Sequence, residues 1–536
     1  MKAHIDSGGK CVGRACPQPA ARLVVGIWLL TGLLSTSSFA ATPRNILLII
    51  ADDYGADSSS LYNSTSSGAS LPPTPNLAAL AQTGVVFRNA YANPVCSPTR
   101  AALLTGRHGF RTGVGDAFVG AGTTSLSSAE FTLPRAFAAN AALGYQLAQF
   151  GKWHLASGVN APSVVGGWPH YAGNLVGALA NYTNWTKTVN GVSTAGTATY
   201  ATTDLVNDAV TWIQARGTQP WFAWVAFNAP HTPLHKPPNA LCPSYTSLPG
   251  TTADINSRPR LYFEAMVEAM DTELGRLLAA VDPANTHVIF LGDNGTTASV
   301  LQPPYPASRG KDTLYEGGTR VPLVISGPAV VNPGRTNEAL VHAVDLFATV
   351  LELAGINVVA TVPTGTRVDS RSLVPVLSGQ AGGGRAVYTE LFAATTPGSA
   401  DGRALRDERF KLIRFADGHD EFFDLQADAA EGTNLLLGAL SPTQQQHRDR
   451  LEFWLAGYST NTGPSLVSPV AAVGQFATSL SQTVGASYAL WRCDDLVTGF
   501  WSPVSGALTG VTNAVVTLTD PSPAASRAFY SVVLTP

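Results

Sequence analysis

The chain has 536 residues, of which 45% are hydrophobic and only 13% are charged. This composition excludes a disordered chain and a coiled coil, and the length is enough for several domains around a large core. With 33 Lys+Arg against 36 Asp+Glu, the chain lacks the positive field on which general nucleic-acid binding depends, so we expect no nucleic-acid partner.

Residues 1–40 have the pattern of a secretory signal peptide. Basic residues precede an uncharged, largely apolar run at 23–34, and residues 38–40 have the small-x-small pattern of a cleavage site. The alternative interpretation is a membrane anchor, but the run is shorter than the ~20 residues that span a bilayer. We therefore expect an exported protein, periplasmic or secreted, without a membrane span.

Two predicted strands are followed by clusters of oxygen ligands. Residues 44–50 and 286–291 contain apolar, β-branched runs of the kind that lies in a parallel sheet covered on both faces. The carboxyl ends of such strands share one edge of an open α/β sheet, where ligands bind. Each polar residue alone fits an ordinary turn, but together they favour a Ca²⁺ or Mg²⁺ site. The residues that follow the two strands are Asp52, Asp53, Asp293 and Asn294.

Two further predicted strands, 145–150 and 221–227, also precede polar side chains. Lys152 and His154 follow the first, and His231 follows the second. Lys311 lies in a Gly-rich stretch later in the chain. Each of them alone fits a loop or core residue, whereas their convergence on an edge that already holds acids favours a functional site.

Predicted helices alternate with these strands. They cover 76–83, 99–105, 263–281 and 341–354, and the apolar residues of 263–281 have the spacing of one buried helical stripe. We assign that stripe to the core. The alternation of strands and helices over 44–355 predicts a doubly wound α/β domain.

Cys96 lies just before Pro98 at a predicted helix start. A helix N-terminus offers backbone N–H groups and positive potential to an anion, and Arg100 lies one turn further along. The pattern predicts an anion-binding site with a nucleophile, whereas an isolated cysteine would by default be a buried thiol.

The segment Cys-Ser-Pro-Thr-Arg-Ala-Ala-Leu-Leu-Thr-Gly-Arg at 96–107 resembles the signature of the type I sulfatases, members of the alkaline phosphatase superfamily. The resemblance extends over about 44–458. It implies a catalytic domain at 41–380, with a mainly parallel sheet, and a smaller C-terminal α+β subdomain at 381–458. Further matching segments, in the family's order, are 45–53, 74–77, 151–155, 229–233, 292–295, 310–318 and 344–347.

The resemblance also implies a metal site and a modified residue. A formylglycine-generating maturation enzyme would convert Cys96 to formylglycine (3-oxoalanine). The ligands of one Ca²⁺ would be Asp52, Asp53, Cys96, Asp293 and Asn294.

The resemblance implies catalytic roles for five more side chains. Lys152, His231 and Lys311 would bind the sulfate group. Arg100 would orient the formylglycine diol, and His154 would act on that diol. The hydrated aldehyde would attack sulfur while His231 or Lys311 protonates the leaving alcohol, and the aldehyde would then re-form and expel sulfate.

The implied activity is hydrolysis of a sulfate ester, either an aryl sulfate or a sulfated carbohydrate. One alternative is a hydrolase of phosphonate or phosphate diesters in the same superfamily. Another is a secreted sulfoglycan-binding protein without catalysis, although all ten proposed site residues are present. The sequence departs from the common family pattern at 156–158 and 166–171, and the aromatic-rich residues 181–191 are a candidate wall for the substrate.

The composition changes beyond residue 458. Residues 459–485 are rich in Ser, Thr, Gly and Pro, which predicts a linker, and 486–536 predicts a small β module. Once the signal is lost and Cys96 is converted, Cys242 and Cys493 are the two remaining cysteines. A disulfide between them would fix the module beside the active site, and two separate buried thiols are the alternative.

Overall fold

The computed structural model describes residues 43–120, 123–380, 385–393 and 397–458, together with the backbone of seven strands between 466 and 535. Ten strands form its main sheet. They are β1 (Asn45–Ala51), β2 (Gly84–Tyr91), β3 (Gln146–Gly151), β4 (Tyr171–Gly173), β5 (Trp185–Val189), β6 (Val192–Thr197), β7 (Trp221–Ala226), β8 (Thr286–Gly292), β9 (Leu323–Ser326) and β10 (Arg335–His342).

The strand order in this sheet is β10-β2-β9-β8-β1-β7-β3-β4-β5-β6. The neighbouring strands β8, β1, β7, β3 and β4 all run parallel, and β10 is parallel to β2. Strand β9 is antiparallel to both neighbours, and β5 and β6 form an antiparallel pair at one edge. The mainly parallel sheet predicted from the sequence is confirmed.

Thirteen helices accompany the strands of the described residues up to 458. They are α1 (Pro75–Gln82), α2 (Cys96–Thr105), α3 (Gly109–Thr112), α4 (Leu133–Ala139), α5 (Ala161–Val164), α6 (Ala201–Gln214), α7 (Thr252–Ser257), α8 (Pro259–Leu278), α9 (Glu316–Thr319), α10 (Asp345–Leu353), α11 (Val358–Thr361), α12 (Val374–Leu377) and α13 (Pro442–Gly457). None of these helices combines the length and apolar character needed to cross a membrane.

Successive residues of β1 point to opposite faces of the sheet and enter two separate apolar cores. Ile46, Leu48 and Ile50 pack with residues of α2, α4 and α10, whereas Leu47 and Ile49 pack with residues of α1, α6 and α8. All five side chains are fully buried. Because helices cover both faces, the strand requires an unbroken apolar sequence, which explains why it is recognisable in the sequence.

The predicted helices are present with shifted bounds: α2 begins at Cys96 rather than 99, and α8 covers Pro259–Leu278 rather than 263–281. The apolar stripe predicted within 263–281 is buried on α8, as expected for a core helix. The helix predicted at 341–354 begins only at Asp345, because Val341 and His342 complete β10. Both residues pair with β2, and this edge-strand pairing outweighs the helical spacing of the apolar residues.

A second, antiparallel sheet forms the C-terminal subdomain. Its strands are β11 (Val387–Leu391), β12 (Gly402–Arg406), β13 (Phe410–Phe415) and β14 (Asp420–Asp424). One face packs against Leu451 and Leu455 of α13. The other face packs against Val95 and Leu314, which belong to the catalytic domain. The small sheet therefore contacts the residue just before Cys96 and a residue three positions after Lys311.

Beyond residue 458 the described strands are β15 (Leu466–Ala472), β16 (Gln475–Ser481), β17 (Ser487–Cys493), β18 (Ser502–Pro503), β19 (Leu508–Thr512), β20 (Val515–Asp520) and β21 (Phe529–Thr535). They form two further antiparallel sheets, β15-β16-β20-β19 and β18-β17-β21. Strands β15 and β16 lie within 459–485, for which the composition predicts a linker, and β16 pairs with β20 of the predicted module. That boundary is corrected, because Ser and Thr alternating with apolar residues also suit a strand.

Cys242 is a fully buried free thiol rather than half of a disulfide. Its Sγ lies 3.6 Å from the carbonyl oxygen of Pro237 and 3.5 Å from that of Pro238. The alternative of a buried thiol therefore applies to Cys242. The side chain of Cys493 lies outside the described residues.

Candidate active site

Four neighbouring strands bring the predicted polar residues to one edge of the main sheet. Strands β8, β1, β7 and β3 lie side by side and parallel, so their carboxyl ends meet at the same edge. Helix α2 brings Cys96 and Arg100, and the loop before α9 brings Lys311. The residues that follow the strands, in the same strand order, are Asp293 and Asn294, then Asp52 and Asp53, then His231, then Lys152 and His154.

The acidic centre of the site consists of side chains buried from solvent. Oδ2 of Asp52 lies 2.6 Å from Nζ of Lys152, and Oδ1 of Asp53 lies 2.7 Å from Nζ of Lys311. Nδ2 of Asn294 donates a hydrogen bond of 2.8 Å to the same oxygen of Asp53. Asp53 has a positive φ of 63°, a conformation that non-glycine residues adopt rarely and that clusters at functional sites.

Opposite charges fix the protonation of Asp53 and Lys311. Burial acts to raise the pKa of Asp53, but Lys311, His231 and Lys152 hold it well below its usual value. Burial acts to lower the pKa of Lys311, but Asp53 raises it well above its usual value. The carboxylate and the ammonium group are therefore both charged near neutral pH.

Arg100 is fully buried and holds the third carboxylate. It donates to Oδ2 of Asp293 from Nε at 3.1 Å and from Nη2 at 2.7 Å. Its Nη1 donates to the carbonyl oxygen of Lys152 at 3.1 Å, which ties α2 to the end of β3. Burial and the neighbouring Asp52 raise the pKa of Asp293 to about 6, although Arg100 opposes the rise. The local charge balance thus leaves room for a further cation.

Two buried oxygens at this edge have no hydrogen-bond partner among the described residues. They are Oδ1 of Asp52 and Oδ1 of Asn294. One ligand atom each of Asp52, Asp53 and His231 also lies within 4.8 Å of the others. Buried carboxylate and amide oxygens without partners are the donors that Ca²⁺ and Mg²⁺ prefer. The carboxylate and amide oxygens therefore fit a hard cation, and the ring of His231 lies next to them without being one of the ligands predicted from the sequence.

Cys96 is the first residue of α2 and its thiol is buried. Its Sγ lies 3.1 Å from Nδ1 of His154. Burial raises the pKa of the thiol, although Lys152 and Lys311 oppose the rise. A buried thiol with a raised pKa is a poor nucleophile at neutral pH, so a cysteine here does not have the properties of a thiolate enzyme.

His154 faces Cys96 as a neutral imidazole. Burial, together with Lys152 and Arg100, lowers its pKa to about 2. Its Nε2 lies 2.6 Å from the carbonyl oxygen of Phe118. Because a carbonyl oxygen only accepts, Nε2 carries the proton, and Nδ1 is left as an acceptor directed at Sγ of Cys96. The ring is thus oriented with its hydrogen-bond acceptor toward residue 96.

His231 lies next to Asp53 in the acidic centre. Its Nδ1 lies 2.8 Å from the carbonyl oxygen of Thr232, and its Nε2 lies 3.7 Å from Oδ2 of Asp53. The hydroxyl of Tyr182 donates to the backbone carbonyls of Asn228 and His231, at 2.8 and 2.7 Å. These bonds hold the loop that carries the imidazole.

The aromatic residues of 181–191 do not form a substrate wall. Tyr182 and Trp185 are buried in the core on one face of the main sheet. The expectation for this segment is corrected, because Trp185 at the start of β5 and Tyr182 just before this strand both pack into that core.

Two residues that determine the position of the His154 ring could not be recognised in the sequence. One is Phe118, whose carbonyl oxygen fixes the tautomer. The other is Gly177, where a Cβ atom would lie 2.3 Å from Nε2 of His154. A backbone carbonyl leaves no mark on residue identity, and a single glycine in a loop is usually accounted for by the turn that it forms.

Two family models match the chain. A model described as Sulfatase matches residues 44–356, and one described as N-sulphoglucosamine sulphohydrolase, C-terminal, matches residues 309–453. A protein named Sulfatase from Formosa agariphila is 28% identical over 537 residues, covering 81% of this chain and 93% of its own length. The human N-acetylgalactosamine-6-sulfatase is 29% identical over 377 residues, covering 64% and 67%.

Solved structures show the same fold. The crystal structure of Ps i-CgsB has a TM-score of 0.64 at 25% identity and covers 77% of this chain and 92% of its own. The structure of BT4656 in complex with its substrate, D-glucosamine-2-N,6-O-disulfate, has a TM-score of 0.62 at 22% identity, covering 76% and 97%.

Proposed function

The chain belongs to the sulfatase family of sulfuric ester hydrolases, and we propose that it releases sulfate from sulfated carbohydrates with Cys96 converted to formylglycine and one Ca²⁺ bound. One observation carries the proposal. Residue 96 is the first residue of α2, and its Sγ lies 3.1 Å from Nδ1 of His154. The buried ion pairs of Lys152 with Asp52 and of Lys311 with Asp53 belong to the same site. Nucleophile, base and charge for an anion thus meet in one place.

The chemical environment of residue 96 supports the modification. Burial raises the pKa of the thiol, so an unmodified Cys96 would remain protonated and weakly reactive. A hydrated aldehyde supplies one hydroxyl as the nucleophile and a second through which the covalent link is broken. Nδ1 of His154 would accept the proton of the hydroxyl that faces it.

The cationic side chains divide the remaining work. Lys152 and Lys311 would offset the charge of the bound sulfate. Arg100 would orient the diol of residue 96. His231 or Lys311 would supply the proton that the leaving oxygen requires, because both side chains lie next to Asp53 at the edge of the sheet.

A hard cation would complete the acidic centre. Its ligands would be Asp52, Asp53, Asp293, Asn294 and residue 96. When bound, Ca²⁺ would supply positive charge beside the nucleophile. The two unpartnered oxygens of Asp52 and Asn294 support this assignment.

The names of the relatives support a sugar as the leaving group, since the human relative is an N-acetylgalactosamine-6-sulfatase. We also propose export, on the basis of the signal pattern in residues 1–40, which lie outside the described residues.

The test is to measure the sulfate released from sugar, aryl and steroid sulfates, with phosphate and phosphonate diesters assayed in parallel. We expect the highest kcat/KM on a sulfated sugar. A higher kcat/KM on a diester would instead favour the related diester hydrolases. Binding of sulfated glycans with no release of sulfate from any ester would favour a binding protein.

A further inference from the structure

Lys311 lies in the segment 309–316, and the first residue of this segment, Arg309, contacts the C-terminal subdomain. Nη1 of Arg309 donates to the backbone carbonyl oxygens of Ala430, at 2.8 Å, and of Glu431. The same guanidinium lies 4.6 Å from the ring centroid of Tyr315 and 5.7 Å from that of Phe423. The start of the segment is thereby attached to the loop that follows β14.

The last residue of the segment is held by the same loop. The backbone N–H of Glu316 donates to Oε2 of Glu431 at 2.6 Å. Oε1 of Glu431 lies 2.9 Å from Nζ of Lys411, and this Nζ lies 3.2 Å from Oε1 of Glu316. The side chains of Glu316, Lys411 and Glu431 are all buried. Glu431 also has a positive φ of 61°, a backbone conformation that is rare for a residue other than glycine.

The middle of the segment contacts the catalytic domain. The backbone N–H of Lys311 donates to the carbonyl oxygen of Thr296 at 2.9 Å. The backbone N–H of Asp312 donates to the carbonyl oxygen of Pro94 at 3.0 Å. Leu314 packs in one apolar cluster with Val95 and residues of the small sheet. The lysine is thus positioned by the large sheet at its own backbone and by the small sheet at both ends of its segment.

We propose that Glu431 is a positioning residue for Lys311. From the C-terminal subdomain, Glu431 would hold the backbone of residues 309–316 and thereby the position of the sulfate-binding lysine. The inference rests on the proposed role of Lys311 in binding sulfate. A lysine Nζ sits on a flexible four-carbon stem, so its position depends on how firmly the backbone below it is held. A glutamine at this position would keep only one acceptor oxygen, so its NH2 group would face either the N–H of Glu316 or Nζ of Lys411, and that donor would lose its partner.

The test is a double-mutant cycle on the dissociation constant of inorganic sulfate, measured by calorimetry on the full chain. The variants are Glu431→Gln, Lys311→Ala and the combination of the two. We expect Glu431→Gln alone to weaken sulfate binding by about 10-fold, the lower range of effects seen when an outer partner of a functional group is removed. In the Lys311→Ala background, the same change should have less than about a twofold effect, because contacting groups are non-additive.

Asp420→Asn is the matched control. It also converts a carboxylate on the C-terminal subdomain to an amide, but its partner is Arg414, with an Nε to Oδ1 distance of 2.9 Å. We expect this variant to bind sulfate like the wild type. Hydrogen–deuterium exchange of residues 309–316 should be faster in Glu431→Gln than in Asp420→Asn.

An equal loss of affinity in both backgrounds would overturn the inference, since Glu431 would then act without Lys311. Unchanged affinity and exchange in Glu431→Gln would overturn it as well. Failure of the proposed function would look different, because the wild type itself would then neither bind sulfate nor release it from an ester.

Discussion

Two of the clusters of buried charged groups among the described residues differ in whether each side-chain oxygen already has a partner. At the edge of the main sheet, Asp52 and Asn294 each keep one buried side-chain oxygen without a hydrogen-bond partner among the described residues. Between the two sheets, each carboxylate oxygen of Glu316 and Glu431 lies within 3.2 Å of a cationic or hydrogen-bonding group.

This difference separates a network that is complete from one that fits a ligand. A buried polar group without a partner carries a desolvation cost, which a bound cation would remove. In the cluster between the sheets, Oε1 of Glu431 also makes no hydrogen bond, but it lies 2.9 Å from Nζ of Lys411, so an ion pair already compensates its charge. This cluster joins the C-terminal subdomain to the catalytic domain. We therefore expect changes at the first cluster to affect catalysis and metal binding, and changes at the second to affect stability and, through residues 309–316, sulfate binding but not metal binding.

The largest effect is expected at the nucleophile of the first cluster. Cys96→Ala should lower kcat for a sulfate ester by more than ~10³-fold, because removing a nucleophile removes the whole covalent route. The fold should survive, since α2 starts with Pro98 in its first turn. Cys242→Ala, a change at the other buried cysteine of the described residues, should keep wild-type kcat. Turnover by Cys96→Ala at a tenth of the wild-type rate would contradict the assignment.

The second cluster should respond in stability. Lys411→Ala leaves the carboxylates of Glu316 and Glu431 buried without their shared cation, which should lower the free energy of unfolding by about 3–5 kcal/mol. Denaturant titration measures this change. Arg414→Ala breaks a more exposed pair with Asp420 and should cost no more than ~1 kcal/mol. Equal losses in the two variants would contradict a special role for the buried cluster.

Metal binding should stabilise the first cluster by an intermediate amount. At a free Ca²⁺ concentration 100 times the Kd, the free energy of unfolding should rise by ~2.7 kcal/mol, and a chelator should reverse the gain. Elemental analysis should find calcium rather than zinc, because the donors are mainly oxygens. Asp52→Asn should lose most of the gain, whereas Asp271→Asn, a buried change on α8, should retain it. Stabilisation by zinc alone would contradict the assignment.

The smallest effect, counted per pH unit, is expected at a buried carboxyl group that has no cationic partner. Burial raises the pKa of Glu390 to about 7, although the backbone N–H of Phe110 and the hydroxyl of Tyr388 oppose the rise. A raised folded-state pKa gives stability that is complete below the unfolded pKa of ~4.3 and is lost as the pH rises toward 7. Relative to Glu390→Gln, the wild type should therefore lose ~1.4 kcal/mol per pH unit between about pH 5 and 7. Parallel pH profiles of the two proteins in denaturant titrations would refute this.

The placement of the site could be predicted because it follows from strand order. Asp52, Asp53, Asp293 and Asn294 stand directly after apolar runs, and parallel strands deliver such residues to one edge. The resemblance at Cys96 then linked them to one chemistry. The small sheet was predicted from the same resemblance.

Other features could not be predicted because they depend on contacts between distant segments. Glu431 resembles any other acidic residue of a loop, and its link to Glu316 exists only once the small sheet packs on the large one. The carbonyl of Phe118 has no sequence signature. Strands β15 and β16 lie where a linker is predicted, because composition alone does not distinguish Ser- and Thr-rich strands from coil.

The central claim is that residue 96 is a formylglycine, and mass spectrometry of the tryptic peptide that spans residues 89–100 tests it most directly. In active protein we predict a peptide that has lost one sulfur and two hydrogens and gained one oxygen relative to the encoded sequence, with an aldehyde that reacts with a hydrazide. A peptide that carries only unmodified Cys96, in protein with full sulfatase activity, would contradict the account.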